Sequence, residues 1–492
     1  MDDQFPDTGR FAAAFMDFVQ AMTAAVERPE SELAVMIREH LGADPKELPI
    51  TVAQFASTEH PNLQLALDSV LADAEVLGYT ARHAGFVEMG LADLLAGQGM
   101  AGPIKPGPVQ YTDIAVGDGR VIQCVSAGIY LAQRDGVPLA LVLSTSERPF
   151  GGSGLKLQGI SPEKGAIAAL IGDLRAAMRA HNVYRGRVIS LHQHEDQSVT
   201  VQFHTITEVA REAVILPDGT LERLERHAIE IAKRAEQLRA DGRHLKRGVL
   251  LHGPPGTGKT LAVTYLLGAM PGRTTVLLTG RGLGLIEEAL QIARELAPAT
   301  VVFEDVDLVA AERTMPLGNH GILFELLTQM EGLAEDADLL FLLTTNRPDV
   351  IEPALAARPG RIDLALEFPL PDEAARRRLL RLYASEIPLD EDSERDLATR
   401  TEGVTGAFIK ELMRQAALTA ALGDRKATAA DVAAALERLL DERSALTRRL
   451  LGQPADGAPP GVPPNAPFPQ MLHAFGAAGL AMPEGFIEFG PE

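Results

Sequence analysis

The apolar positions change period along the chain, and each change marks a region. Phe11, Phe15, Phe18, Val19, Met22 and Val26 recur at helical spacing, and Phe86 to Leu95 repeats that pattern, so residues 1–105 are expected to be a helical region. The stretch GQGMAGPIKPGP, Gly97 to Pro108, is dense in Gly and Pro and reads as a boundary. Across 106–211 the periods mix. Val121 to Val125, Val137 to Leu143, Val188 to Leu191 and Val199 to Phe203 read as strands, and Gly165 to His181 as a helix, predicting a small α/β or α+β domain. From Val214 to Glu442 strands and helices alternate. Residues 443–492 form a last region. Its Gly452 to Pro467, GQPADGAPPGVPPNAP, is too rich in Pro and Gly to pack. Phe468 to Phe489 follows with Leu472, Phe475, Leu480, Met482, Phe486, Ile487 and Phe489, an apolar load expected to dock on its own subunit, a neighbouring one or another protein.

Composition narrows the class. With 492 residues the chain is too long for one core. Its 46 Lys+Arg against 67 Asp+Glu give a net charge of −21, which repels phosphate backbones and argues against a nucleic-acid partner. No apolar run approaches the roughly 20 residues of a membrane-spanning helix, and the acidic start Met1-Asp2-Asp3 lacks the order of a secretory signal. Cys124 is the only cysteine, so no intrachain disulfide forms, and core packing in a reducing cytoplasm is the reading that fits. His192 and His194 share a strand face, with His204 nearby in sequence, but nothing completes a zinc set, and an exposed polar face explains them.

The chemistry concentrates in RGVLLHGPPGTGKT, Arg247 to Thr260. A buried-strand run leads into it and a helical run leaves it, the context that a phosphate loop requires. Gly253, Gly256 and Gly258 let the backbone curl so that successive N–H groups face phosphate oxygens, and the following helix adds its positive end. Lys259 supplies a point charge, and the Thr260 hydroxyl is placed to ligate Mg²⁺. A second buried run, Thr300 to Phe303, ends in Glu304-Asp305-Val306-Asp307, acids that suit a metal and an attacking water if their strand lies beside the phosphate-loop strand. A third, Leu339 to Leu343, leads to Asn346, positioned to hold a water, and then to Arg358 and Arg361, whose permanent charges fork onto phosphate oxygens.

On these residues the chain resembles the AAA ATPase family of the AAA+ superfamily, from Val214 to about Glu442. GPPGTGKT, FEDVDLVAAER with LLTQMEGL, TTNRPDVIEPALAARPGRID, FPLPDE and GVTGAFIKELMRQAAL stand in that family's order and spacing. The resemblance implies an α/β fold: a doubly wound P-loop core over 212–369 and a helical lid over 370–442, working as a hexameric ring. It implies a Walker A segment of Gly253, Pro254, Pro255, Gly256, Thr257, Gly258, Lys259, Thr260 and Leu261 around ATP, with Gly406 and Ala407 of the lid near the adenine. Asn346 corresponds to the first sensor, and Arg358 and Arg361 to arginine fingers acting on a neighbour's nucleotide.

Three departures temper the likeness. The Walker B acids run Glu304 then Asp305, where the family has Asp then Glu, an order similar to that of the mitochondrial branch that translocates the Rieske protein. Glu304 then takes the Mg²⁺ side together with Thr260, and Asp305 the general-base role, with about 1.3–1.5 Å less reach than a glutamate. One extra alanine lies between Pro353 and Arg358. The segment Leu277 to Ile286, LLTGRGLGLI, has no aromatic pore residue, leaving Leu283 or Leu285 as weaker grips. The expectation is a cytoplasmic hexameric ATPase that remodels or disassembles protein complexes and binds its client through residues before Arg211. The alternative is an ATP-gated scaffold with little turnover.

Overall fold

Strand β1, Thr51–Ala56, alternates in burial with Ala53 and Phe55 turned inward, the mark of a strand with one face on a core. The computed structural model describes residues 14, 16–17, 31–80, 90–99, 102–147, 153–194, 198–279, 284–307, 337–348 and 362–450. Strands β2 (Glu75–Thr80), β5 (Lys105–Gly107), β6 (Gln110–Ala115), β7 (Val121–Arg134), β8 (Val137–Glu147) and β9 (Ser153–Ile160) join β1 in one antiparallel sheet. Its order is β1-β9-β8-β7-β2-β5, with β6 also on β7, and β3 (Gln98–Gly99) and β4 (Gly102–Pro103) form a separate two-stranded ladder. The helix Ala166–Ala180 buries Ile167, Leu170, Leu174 and Met178, spaced three and four apart, against this sheet with Leu141 and Leu157.

The expectation of a helical region over 1–105 is corrected here. β1 and β2 lie inside it and β5 crosses its end; they pair with β9 and β7, or with each other, so one sheet runs across the Gly/Pro-rich stretch. The glycines there serve close approach: a Cβ on Gly107 would stand 2.5 Å from Thr80 Cγ2. The described part of the second expected helix is Leu91–Ala96. The expected helix from Phe11 to Val26 lies almost wholly outside the described residues, and the segment 468–489 lies wholly outside them.

A second sheet has the order β11-β10-β13-β14-β15-β12-β16, from β10 (Val188–Gln193), β11 (Val199–His204), β12 (Arg247–His252), β13 (Thr274–Leu278), β14 (Ala299–Phe303), β15 (Leu339–Thr345) and β16 (Leu364–Glu367). Its ladders are parallel except for the β10–β11 hairpin. Every residue of β14 and β15 is buried, as expected of central parallel strands covered on both faces. Two expectations change. β10 and β11, read as part of a separate small domain, extend this sheet beyond β13. And the acid-bearing strand β14 is not beside the P-loop strand β12, because β15 pairs with both and separates them.

At the start of these strands Asp338 sits between two buried arginines. Arg247 Nη1 donates to it at 2.8 Å and Arg273 Nη1 at 2.7 Å. Burial alone would push the Asp338 carboxyl upward, but the two guanidiniums hold it below the usual carboxylate range.

The described chain divides into two compact units, the second comprising the described residues of Glu212–Asp218, Pro254–Gly258 and Phe368 onward. Its helices are Glu373–Ala384, Glu391–Arg400, Gly406–Ala421 and Ala429–Leu450. Asp372, Asp390 and Thr405 cap the first three by accepting from the backbone N–H three residues on. Leu380, Leu397, Ile409, Leu412, Val432 and Leu436 form its core, against which Ile215 packs.

Candidate nucleotide site

The parallel register brings three strand ends level. His252 pairs with Thr345, and Phe303 with Leu343, so Gly253, Asn346 and Glu304 all begin at the same edge of the sheet. This is the edge where open α/β sheets place their ligands.

After β12 the chain turns through Gly253, Gly256 and Gly258 at φ 144°, 78° and 101°, conformations that favour glycine, and the helix Lys259–Ala269 follows at once. Thr257 Oγ1 donates to Pro254 O at 2.8 Å and closes the loop. Within the second unit Ala407 N donates to Gly256 O at 3.1 Å, and Gly406 begins the Gly406–Ala421 helix, so these two predicted residues do meet the loop. A Cβ on Gly256 would come within 3.0 Å of Ala407 Cβ and Thr405 Oγ1.

Lys259 is buried, with Nζ donating to Gly253 O at 2.8 Å and to Asn346 Oδ1 at 2.8 Å. Burial pushes its pKa down, opposed by the charges of Asp305 and Asp307. The other end of the same amide, Asn346 Nδ2, donates to Asp305 Oδ1 at 3.0 Å. Asp305 itself adopts φ 50°, a conformation uncommon for a residue with a side chain, and its N–H donates to Thr344 Oγ1 at 3.0 Å. Cation, amide and carboxylate thus form one chain along the strand ends, and β15 is what makes it possible: it carries Asn346 between the other two.

Glu304 accepts a hydrogen bond from Thr260, and its carboxyl is pushed up by burial and by neighbouring Asp305. A hydroxyl and a desolvated carboxylate at one point are hard oxygen donors whose crowding a divalent cation would relieve. This pair fits Mg²⁺, which takes one or two protein oxygens and keeps water or phosphate oxygens in its other positions. Among the described residues no cluster of three or more His, Cys, Asp or Glu is arranged for a metal, a set that such a Mg²⁺ does not require.

Residues 249–370 match the family described as ATPase family associated with various cellular activities, AAA. This segment is an AAA ATPase domain. The proteasome-activating nucleotidase of Methanocaldococcus jannaschii is 32% identical over 212 residues, which cover 40% of this chain and 49% of that protein. That of Methanosphaerula palustris is 32% identical over 216 residues, or 41% and 52% of the two chains. The ATP-dependent zinc metalloprotease FtsH of Thermus thermophilus is 33% identical over 231 residues, or 43% of this chain and 36% of that protein. The chain therefore spans about half the length of these nucleotidases and about a third of this protease.

Of the AAA residues singled out in the sequence, Arg358, Arg361 and Leu283 lie outside the described residues, while Leu285 is buried. The sequence reading missed Thr344 and gave Asp307, one of a run of acids, no role of its own. Asp307 Oδ1 accepts from Thr345 Oγ1 at 2.9 Å and from Asn346 N at 3.0 Å, and Thr344 anchors the Asp305 backbone. The second aspartate of Glu304-Asp305-Val306-Asp307 was the only signal for the former. Outside the AAA domain, Ser190 Oγ hydrogen-bonds both His192 and His204, and His194 bonds Thr200, so the histidines are satisfied by hydroxyls. Cys124 is buried and its thiol is pushed up to about 12, which agrees with core packing. Among the described residues no helix is long and apolar enough to cross a membrane.

Proposed function

We propose that this chain is a cytoplasmic ring-forming ATPase that couples ATP hydrolysis to the remodelling or disassembly of protein complexes. The Lys259–Asn346–Asp305 chain carries this reading, because it gathers at one sheet edge the three groups that phosphoryl transfer to water uses. Lys259 and the backbone of Gly253 to Thr260 bind the β- and γ-phosphates of ATP. Asn346 orients the attacking water, and Asp305 accepts its proton. Thr260 and Glu304, partly through water, would hold Mg²⁺, which would supply charge neutralisation at the phosphates. Gly406 and Ala407 take the adenine end, and Arg358 and Arg361 of a neighbouring copy reach the γ-phosphate, which makes turnover depend on a ring of six identical subunits. The N-terminal region holds a protein client, and residues 468–489 dock on a subunit or partner. The Glu304–Asp305 order is the feature shared with the Rieske-translocating branch.

A scaffold that assembles on ATP and hardly turns over is the second reading. It is favoured by the short Asp305 side chain, already engaged by Asn346, and by the absence of an aromatic in the pore segment. Steady-state ATP turnover measured beside native mass separates the two, using wild type, Lys259→Ala, Asp305→Asn and Glu304→Gln. Rings that hydrolyse ATP in the wild type, and that assemble without hydrolysing in Asp305→Asn, support the motor. Rings whose turnover does not exceed that of Lys259→Ala leave the scaffold.

A further inference from the structure

We propose that Asp307 is a positioning residue that sets the Asn346 amide by holding the backbone turn at the end of β15; its kinetic consequences rest on the ATPase reading above. Asp307 is 7% exposed and lies two residues past Asp305. One carboxylate oxygen, Oδ1, accepts from both Thr345 Oγ1 and Asn346 N. Thr345 Oγ1 in turn accepts from Arg347 N at 3.0 Å. Three consecutive residues, 345 to 347, are thereby tied directly or through one hydroxyl to a single carboxylate on the neighbouring strand's extension.

The geometry explains why a buried charge is placed there. β15 ends at Thr345, so the N–H groups of Asn346 and Arg347 have left the ladder and need acceptors. Asp307 satisfies the first and, through Thr345, the second. The Asn346 side chain hangs from this turn and divides its two ends between Lys259 and Asp305. A shift of the turn moves the amide away from both at once. Asp307 hydrogen-bonds the turn through Oδ1, while Asp305 faces the amide itself.

What the turn uses is acceptor geometry, which an isosteric amide reproduces. Asp307→Asn keeps an Oδ1 that accepts both bonds, whereas Asp307→Ala removes it. Turnover should fall about 100-fold in Asp307→Ala, the scale of a misplaced group about 1 Å out of register. ATP affinity, read with a non-hydrolysed analogue, should stay within about threefold. Asp307→Asn should keep turnover within about threefold of wild type. Thr345→Val, which removes the hydroxyl's bonds to Asp307 and Arg347 N but keeps the shape and the Asn346 N–H bond to Asp307, should fall between and guards against a variant that fails to fold. Amide hydrogen exchange over residues 339–347 supplies a readout independent of turnover: protection should be lost in Asp307→Ala and kept in Asp307→Asn. Equal loss of turnover in Asp307→Asn and Asp307→Ala would show that the charge matters and overturn the proposal, as would unchanged protection in Asp307→Ala. If the wild type shows no turnover, the ATPase reading falls while the exchange result still decides the role of Asp307.

Discussion

Asn346 donates its side-chain amide to Asp305 Oδ1 at 3.0 Å, joining residues 41 positions apart at the ends of neighbouring strands. Since the amide oxygen is also engaged by Lys259, the groups assigned to phosphate, water and proton are bonded to one another. In the proposed site a triphosphate competes with the Asn346 oxygen for the Lys259 ammonium, so that phosphate binding is expected to exchange that bond.

That exchange has a directional consequence. A hydrogen bond to a charged group contributes about 1.5–3 kcal/mol net, so Asn346→Ala releases Lys259 from a competitor. Turnover should drop about 100-fold, the scale of losing one preorganised polar group, while affinity for a non-hydrolysed ATP analogue holds or rises. Calorimetric titration checks this. An affinity that falls in step with turnover would mean that Asn346 binds nucleotide directly and does not compete for the lysine.

The length of Asp305 is open to the same kind of test. Asp305→Asn should keep nucleotide binding and lose turnover by about 100-fold or more, the contribution typical of a general base. Asp305→Glu adds one methylene of reach. If reach limits the native enzyme, single-turnover hydrolysis should accelerate in that variant; a slower variant would mean that the φ 50° backbone already aims the shorter carboxylate correctly.

Gly256 is a loop position that accepts a side chain poorly. Its φ of 78° costs an L-residue about 1–2 kcal/mol, and the added Cβ would press on Ala407 and Thr405 at 3.0 Å. Gly256→Ala should therefore weaken ATP binding about tenfold, the equivalent of about 1.4 kcal/mol. Gly268→Ala is the control, since nothing lies within 4 Å of a Cβ there. Comparable losses in both would point to the helix and not the loop.

Asp338 is expected to govern stability without touching the chemistry. Asp338→Ala leaves Arg247 and Arg273 buried without their carboxylate, a change worth about 3–5 kcal/mol, read as a lower denaturation midpoint. The pH dependence follows from the same pair of guanidiniums. The folded pKa of Asp338 is depressed, so its contribution is complete above the unfolded carboxylate value and is lost as pH falls through the folded value. Wild-type stability should decline below about pH 4, and Asp338→Asn should be less stable at neutral pH and flatter through that acid limb. Parallel acid limbs in the two proteins would remove Asp338 from the account.

The phosphate loop was legible because its glycines, its lysine and the strand-to-helix switch lie within one short segment. Sheet membership was not. β10 and β11 look locally like any strand pair, and nothing in Val188 to His204 tells which sheet Ser190 and its neighbours join. The insertion of β15 between β12 and β14 is likewise a property of strand order, which periodicity does not encode, so Asn346 was recognised while its part as a bridge was not. β1 and β2 were missed for a different reason. Each is six residues long, and β2 has only Gly78 and Tyr79 buried, too few positions to outweigh the helical runs around them.

The β10–β11 hairpin belongs to the ATPase sheet through β13, yet it and the residues leading into it are also stitched to the first sheet's surroundings. Ser57 Oγ donates to Val199 O, Tyr184 OH to Thr58 O, and Val183 N to Asn62 Oδ1, while Gly117 lies against Phe203. Among the described residues the N-terminal sheet and the nucleotide-facing one belong to one compact unit. The hairpin and the residues leading into it work as a splice between two beams, tying one sheet's surroundings to the other through hydrogen bonds between side chain and backbone.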